Sequence, residues 1–202
     1  MGCIPAYELS INWMHMRVIA GEAKGRQLKV PKTKGVRPTS DYLREALFGI
    51  LGSSVRGVRF LDLYAGSGAV GIEALSRGGA EVVFLEQDPA CLRVLRENVE
   101  RTGLGQSRLL AGDVLRVLPR LARRRERFDI IFLDPPYGTG LARRTLDVVA
   151  SGDLLRPDGV LIAEHFAKEP LPERIGNLRR IRERAHGQTV LSFYARGPEV
   201  EQ

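Results

Sequence analysis

The chain has 202 residues, 44% hydrophobic and 27% charged, enough for one packed domain with a small appendage. Its formal charge of +7 favours a polyanionic partner. Two cysteines, Cys3 and Cys91, exclude a disulfide framework, and no apolar run approaches the roughly 20 residues that span a bilayer, so the expected setting is the cytoplasm, with no membrane association.

Residues 1–15 lack the basic start and long apolar core of a secretory signal and read as a disordered extension, with Met14 and Met16 as later start positions. Two strand-like runs, Arg17–Ala20 and Arg26–Val30, then flank Gly21–Gly25 in a hairpin pattern. From Arg17 to Arg44 eight basic residues (Arg17, Lys24, Arg26, Lys29, Lys32, Lys34, Arg37 and Arg44) face two acidic ones, a net of +6 in a chain of +7. Such a run serves either as a plain solvated face or as an arm that grips phosphates. Thr39 or Ser40 caps the helix that follows, Asp41 complements its dipole, and Leu43, Ala46, Leu47, Ile50 and Leu51 fall on one helical face. The arm thus covers residues 16–52, with a hinge at Ser53–Gly57 leading to a main domain at 53–197 and a tail at 198–202.

The main domain alternates strand and helix. Strands are predicted at Val58–Tyr64, Glu81–Glu86, Arg108–Ala111, Phe128–Leu133 and Val160–Glu164, and helices at Ala69–Arg77, Pro89–Thr102, Val114–Arg123 and Leu141–Ser151. Leu178–Ala185 and Thr189–Ala195 around His186-Gly187-Gln188 read as a β-hairpin. The fold class is therefore α/β: a Rossmann-like, mostly parallel doubly wound sheet with an antiparallel edge hairpin and a small basic N-terminal arm. Ligands bind such sheets at the carboxyl ends of the strands.

The first strand runs into Asp62-Leu63-Tyr64-Ala65-Gly66-Ser67-Gly68-Ala69-Val70-Gly71, a G-x-G-x-x-G pattern, with Glu86 at the end of the second strand. Glycines let the backbone approach a ligand, and a downstream acid can hold ribose hydroxyls. Taken alone, this pattern suits a nicotinamide-dependent oxidoreductase nearly as well as any other nucleotide enzyme. Asp62 repels a pyrophosphate but can bind an amino acid's ammonium, and Asp113, with Val114 after it, can accept from an adenine amine. Amino acid, ribose and adenine together describe S-adenosylmethionine.

The fourth strand ends in Asp134-Pro135-Pro136-Tyr137. An aromatic exocyclic amine is a weak nucleophile because its lone pair is delocalised. Acceptors on its N–H groups, here the Asp134 carboxylate and the Pro135 carbonyl, free that lone pair for a methyl donor. Prolines present such carbonyls rigidly, and Tyr137 can stack on the base. The same turn also suits an adenine-N6 DNA methyltransferase, and a nucleic-acid-binding module without catalysis is a further alternative. Cys91 falls on the apolar stripe of its helix, and His15, His165 and His186 lack metal-ligand spacing and read as surface or turn residues, so no metal is expected.

The series Arg17-Val18-Ile19-Ala20-Gly21, Lys24-Gly25-Arg26, Arg37-Pro38-Thr39, Arg44-Glu45, Leu47-Phe48, Asp62 to Gly68, Gly71 to Gly78 and Asp134 to Tyr137 closely resembles the RsmD family, over about Met16 to Ala195. The resemblance implies methylation of N2 of one guanine in 16S ribosomal RNA. The expected partner is that RNA, free or in the assembling small subunit, and the chain is expected to act as a monomer. It implies that Asp62, Ala65, Gly66, Ser67 and Gly68 line the methionine end of the cofactor, Glu86 the ribose, and Asp113 and Val114 the adenine. Asp134, Pro135, Pro136 and Tyr137 then hold the target guanine.

Overall fold

A computed structural model describes residues 16–31 and 41–197; the 1–15 extension, the 198–202 tail, the helix cap at Thr39 or Ser40, and Lys32, Lys34 and Arg37 lie outside the described residues. Continuous apolar runs such as Phe128–Leu133 form parallel strands because both faces are covered. β1 (Arg59–Leu63), β2 (Glu81–Glu86), β3 (Gln106–Ala111), β4 (Phe128–Leu133) and β5 (Leu155–Phe166) are parallel. β6 (Arg174–Ile175), β7 (Leu178–His186) and β8 (Thr189–Arg196) add an antiparallel edge, giving the order β3-β2-β1-β4-β5-β8-β7-β6. Helices α1 (Asp41–Leu51), α2 (Ala69–Ser76) and α3 (Pro89–Thr102) pack on one face, and α4 (Val114–Arg123) and α5 (Leu141–Ser151) on the other.

β5 starts earlier than the expected Val160. Leu155 already pairs with Phe128, and Arg156 to Gly159 form an irregularity before Val160 meets Ile130. The R-P-D-G run carries turn chemistry, which conceals strand character from a periodicity reading.

The N-terminal arm is less regular than a hairpin and packs on the same core as α1 and α2. An isolated antiparallel bridge, Arg17 to Gln27, joins its two runs. Met16, Val18, Ala23 and Leu28 are buried in the same core as Leu47 and Phe48 of α1 and Ile72 of α2. Glu73, fully buried on α2, accepts the backbone N–H groups of Ile19 (2.7 Å) and Ala20 (3.0 Å), and Ser76 Oγ accepts that of Ala23 (3.0 Å). Gly21 is required there: at φ +83° it lies so close to α2 that a Cβ would sit 1.8 Å from the Ser76 carbonyl oxygen. Gly52–Val55 continue α1 as a 3-10 turn, and within the expected hinge Val55 is buried while Ser53, Ser54, Arg56 and Gly57 are exposed.

Arg44 corrects the reading of the basic run. It is fully buried, donating to Asp41 (2.6 Å) and the Arg17 carbonyl (3.0 Å) and lying 3.8 Å from Glu73, so it holds the arm to the core and cannot reach a phosphate. Arg26 donates to the Thr102 carbonyl at the end of α3, and Lys29 pairs with Glu97. Arg17 and Lys24 stay exposed. Helices end in unpaired carbonyls, so Arg26 serves as a cap borrowed from the arm.

Candidate active site

The strand order reverses between β1 and β4, and the crevice at such a switch point is where doubly wound sheets take ligands. At the β1 end, Tyr64 and Gly66 have positive φ (62° and 56°), which turns the chain back from the strand into α2. Three glycines then do different work. A Cβ on Gly66 meets nothing nearer than the Tyr64 carbonyl at 4.0 Å, so this position faces open space. One on Gly68 would lie 2.3 Å from Leu95 Cδ1, and one on Gly71 2.3 Å from the Phe84 ring. Only the first leaves space beside its backbone; the other two let α2 pack closely on the sheet and α3.

The acids around this loop hold its backbone. Asp62, 2% exposed, accepts Gly71 N–H at 2.9 Å. Burial, with the Asp134 and Glu86 charges adding, pushes its pKa up to about 7. Glu86 accepts Gly66 N–H (2.7 Å) on one oxygen and Gln87 and Asp88 N–H (2.8 Å each) on the other. Asp113 caps α4 through Arg116 N–H at 3.0 Å. Two residues assigned to the cofactor face elsewhere. Ser67 is buried, with its hydroxyl on Met16 Sδ and its carbonyl held by Asn98, and the Val114 side chain lies in the core under α4, leaving only its backbone to offer a ligand. Ala65 is half-buried beside the crevice, its N–H bonded to the Leu85 carbonyl at 3.1 Å.

At the β4 end, Pro135 is buried and Pro136 exposed. Thr139 Oγ1 donates to the Pro136 carbonyl at 2.6 Å, whereas among the described residues the Pro135 carbonyl has no hydrogen-bond donor. Tyr137 stacks on Phe166 (ring centroids 5.7 Å apart) and donates its hydroxyl to Glu164 Oε1 at 3.2 Å, next to Thr189 Oγ1 at 3.3 Å. One face of its ring is therefore already in use.

Glu164 is the residue that sequence reasoning missed. Leu133 pairs with Ala163, so Asp134 and Glu164 follow side by side on adjacent parallel strands. Glu164 is 4% exposed, and its Oε2 is buried with no hydrogen-bond partner among the described residues. Burial first and then the Asp134 charge raise its pKa well above the carboxylate range. Only its position at the end of an apolar strand, beside another strand ending in an acid, signalled it. His165 is likewise not a surface residue: it is 3% exposed, with Nε2 on Ser192 Oγ at 2.9 Å.

Asp62, Glu86, Asp134 and Glu164 thus gather at one sheet edge, and among the described residues no Lys or Arg is ion-paired to Asp62, Glu86 or Glu164. Such a set fits a cationic ligand bearing hydroxyls and amines, and discourages a pyrophosphate. Fold and site together define a class I methyltransferase. The family model described as Conserved hypothetical protein 95 matches residues 16–195, and the chain belongs to that family, as the RsmD resemblance implied. It is 33% identical over 186 residues to ribosomal RNA small subunit methyltransferase D of Escherichia coli, covering 92% of each chain. It is 34% identical over 158 residues to the protein of that name in Haemophilus influenzae, covering 77% of this chain and 81% of the other. A solved structure of a hypothetical protein from Thermus thermophilus superposes with TM-score 0.77 at 38% identity, covering 88% of this chain and 98% of that one. These relationships set aside the oxidoreductase alternative.

Proposed function

We propose that the protein methylates the exocyclic N2 amine of a guanine in 16S ribosomal RNA, acting as a monomer in the cytoplasm on free RNA or the assembling small subunit. S-adenosylmethionine supplies the electrophilic methyl group. In this reading Gly66 would give its backbone close approach, and Glu86, Asp113 and Asp62 would hold its ribose, adenine and ammonium. The Asp134 carboxylate and the Pro135 carbonyl accept from the amine, and the open face of Tyr137 takes the base. Reaching this pocket requires the base to leave its stack. Holding amine and methyl donor in line supplies much of the rate, and no strong base is needed because the alkylated nitrogen becomes acidic only after transfer.

The observation that favours guanine over adenine is the orphaned Glu164 oxygen beside Asp134. Guanine carries an N1–H next to its N2 amine, so two neighbouring acceptors find two neighbouring donors. Adenine carries a bare N1 next to its N6 amine, which an ionised Glu164 repels. Burial and the Asp134 charge hold the Glu164 proton on, so transfer to guanine is expected to rise with pH as Glu164 ionises. Relatives named as ribosomal RNA methyltransferases support RNA over DNA. The test is transfer of labelled methyl to small subunits from a strain lacking the modification, followed by nucleoside analysis. N2-methylguanosine is expected, with Glu164→Leu lowering kcat/KM by roughly tenfold or more for the lost buried hydrogen bond; N6-methyladenosine in DNA overturns the reading.

A further inference from the structure

Among the arm's described cations Arg26, Lys29 and Arg44 are engaged within the protein, so the strand flanking the target nucleotide calls for a surface beyond them. Strand register places one. Arg184 lies beside Leu191, which lies beside Glu164, and Arg182 lies beside Phe193, which lies beside Ile162. Leu191, Phe193 and Ile162 belong to the core beneath α1, so both arginines emerge on that face next to α1. There a groove of about 430 Å³, within the usual range of ligand clefts, is lined by Tyr42, Glu45 and Ile50 of α1 and by Arg182 and Arg184 of β7.

Tyr42, 52% exposed, stacks on His186 with ring centroids 4.0 Å apart. His186 pairs with Thr189, whose hydroxyl touches the Tyr137 hydroxyl at 3.3 Å. A chain of contacts, Tyr42 to His186 to Thr189 to Tyr137, thus links the groove to the turn assigned to the target base. Arg180 on the other face is held by Glu173 and Glu183, whereas among the described residues Arg182 and Arg184 have no ion-pair partner, Glu45 included. Two unpartnered guanidiniums beside an exposed aromatic stack match a single strand, whose phosphates want cations and whose bases want flat faces. An acidic peptide or a lipid headgroup uses the first feature and leaves the second without purpose.

We propose that the groove between α1 and β7 seats the RNA strand flanking the target nucleotide, with Arg182 and Arg184 on phosphates and the Tyr42–His186 stack against a base. This rests on the RNA reading above. The test compares full-length Arg182→Glu/Arg184→Glu and Tyr42→Ala with Arg123→Glu/Arg124→Glu, an equal charge change at the exposed end of α4 on the opposite sheet edge. Anisotropy of a fluorescent single-stranded RNA oligonucleotide reads binding, kcat and KM on small subunits read transfer, and S-adenosylhomocysteine affinity reports the fold. The groove pair should weaken oligonucleotide binding about tenfold and flatten its salt slope by about 0.7 per lost contact. KM should rise with kcat and S-adenosylhomocysteine affinity level. Tyr42→Ala should bind more weakly, and Tyr42→Phe, which keeps the ring, should bind as the parent does. The proposal is overturned if the groove pair and the α4 pair bind RNA alike, or if the groove pair loses only anionic phosphatidylserine vesicles. Because binding is read without transfer, a parent that binds RNA and methylates none sinks the activity reading alone.

Discussion

The two edges of the parallel sheet carry similar numbers of acids and use them in opposite ways. At the amino-terminal edge, Arg59 holds Glu81 (2.6 Å) and Glu126 (2.9 Å), Arg108 holds Glu126 (2.8 Å), and Asp129 accepts Arg59 N–H and lies 3.4 Å from Arg156. Asp153, at φ +51°, is pinned between Arg127 and Arg196. At the carboxyl edge the acids meet backbone N–H groups, as Asp62 and Glu86 do, or leave an oxygen unmatched, as Glu164 does. An unpaired buried carboxyl destabilises a fold, whereas a paired one is roughly neutral. Acids left that way are therefore expected where a ligand completes them, and arginine-paired acids where the chain must simply close.

Substitution at each edge should separate these uses. The largest effect belongs to Asp134→Ala, which should lower kcat by about 10²–10³, the usual loss for one preorganised polar contact, with S-adenosylhomocysteine affinity near the parent's. Unchanged turnover would place the chemistry elsewhere. Next, Gly68→Val should destabilise the fold by about 3 kcal/mol, because its side chain strikes Leu95 from a left-handed backbone. Gly66→Val should leave melting closer to the parent and abolish cofactor binding in calorimetry, so the two glycines are distinguishable by which measurement moves.

Asp62→Asn should act on both stability and binding. The folded state holds the Asp62 proton up to about pH 7 against 3.8 for a free carboxyl, so the parent loses stability as pH rises through that window and bears the full penalty above it. The variant keeps an acceptor for Gly71 N–H and has nothing to ionise. Between pH 4 and pH 8 its stability should therefore gain on the parent's by a few kcal/mol, order of magnitude, while S-adenosylhomocysteine affinity falls. Equal pH profiles would show that Asp62 is not strained. The smallest effect is expected at the other edge: Glu126→Gln should cost about 1 kcal/mol in denaturant unfolding and leave kcat alone. A fall in kcat there would erase the contrast between the edges.

Much of this was legible in sequence because it depends on near neighbours. Apolar runs and helical stripes placed the parallel strands β1 to β5 and the helices α1 to α5, and strand-turn-helix spacing located the Gly66 loop and the Asp134 turn. What failed were readings of charge. Arg44 looked like its basic neighbours in sequence but is fully buried, because Asp41, Glu73 and the Arg17 carbonyl converge on it from separate segments. Ser67 and Val114 sit in the Gly66 loop and at the start of α4 yet turn their side chains into the core, since one residue of shift in a turn or helix start changes the side a residue faces.

The sequence by itself determined the alternation of elements, the class of fold and the two loops that meet at its switch point, since periodicity, glycine placement and proline act over a few residues. Tertiary structure alone decided which acids are satisfied. Glu164 and Asp134 are far apart in the chain and neighbours only through β4–β5 pairing, and Tyr42 meets His186 only because α1 crosses to the tip of the last hairpin. Burial and pairing of a charge are properties of everything packed around it, so the same residue letter reads as core strut, loop brace or ligand contact according to contacts that no local pattern encodes.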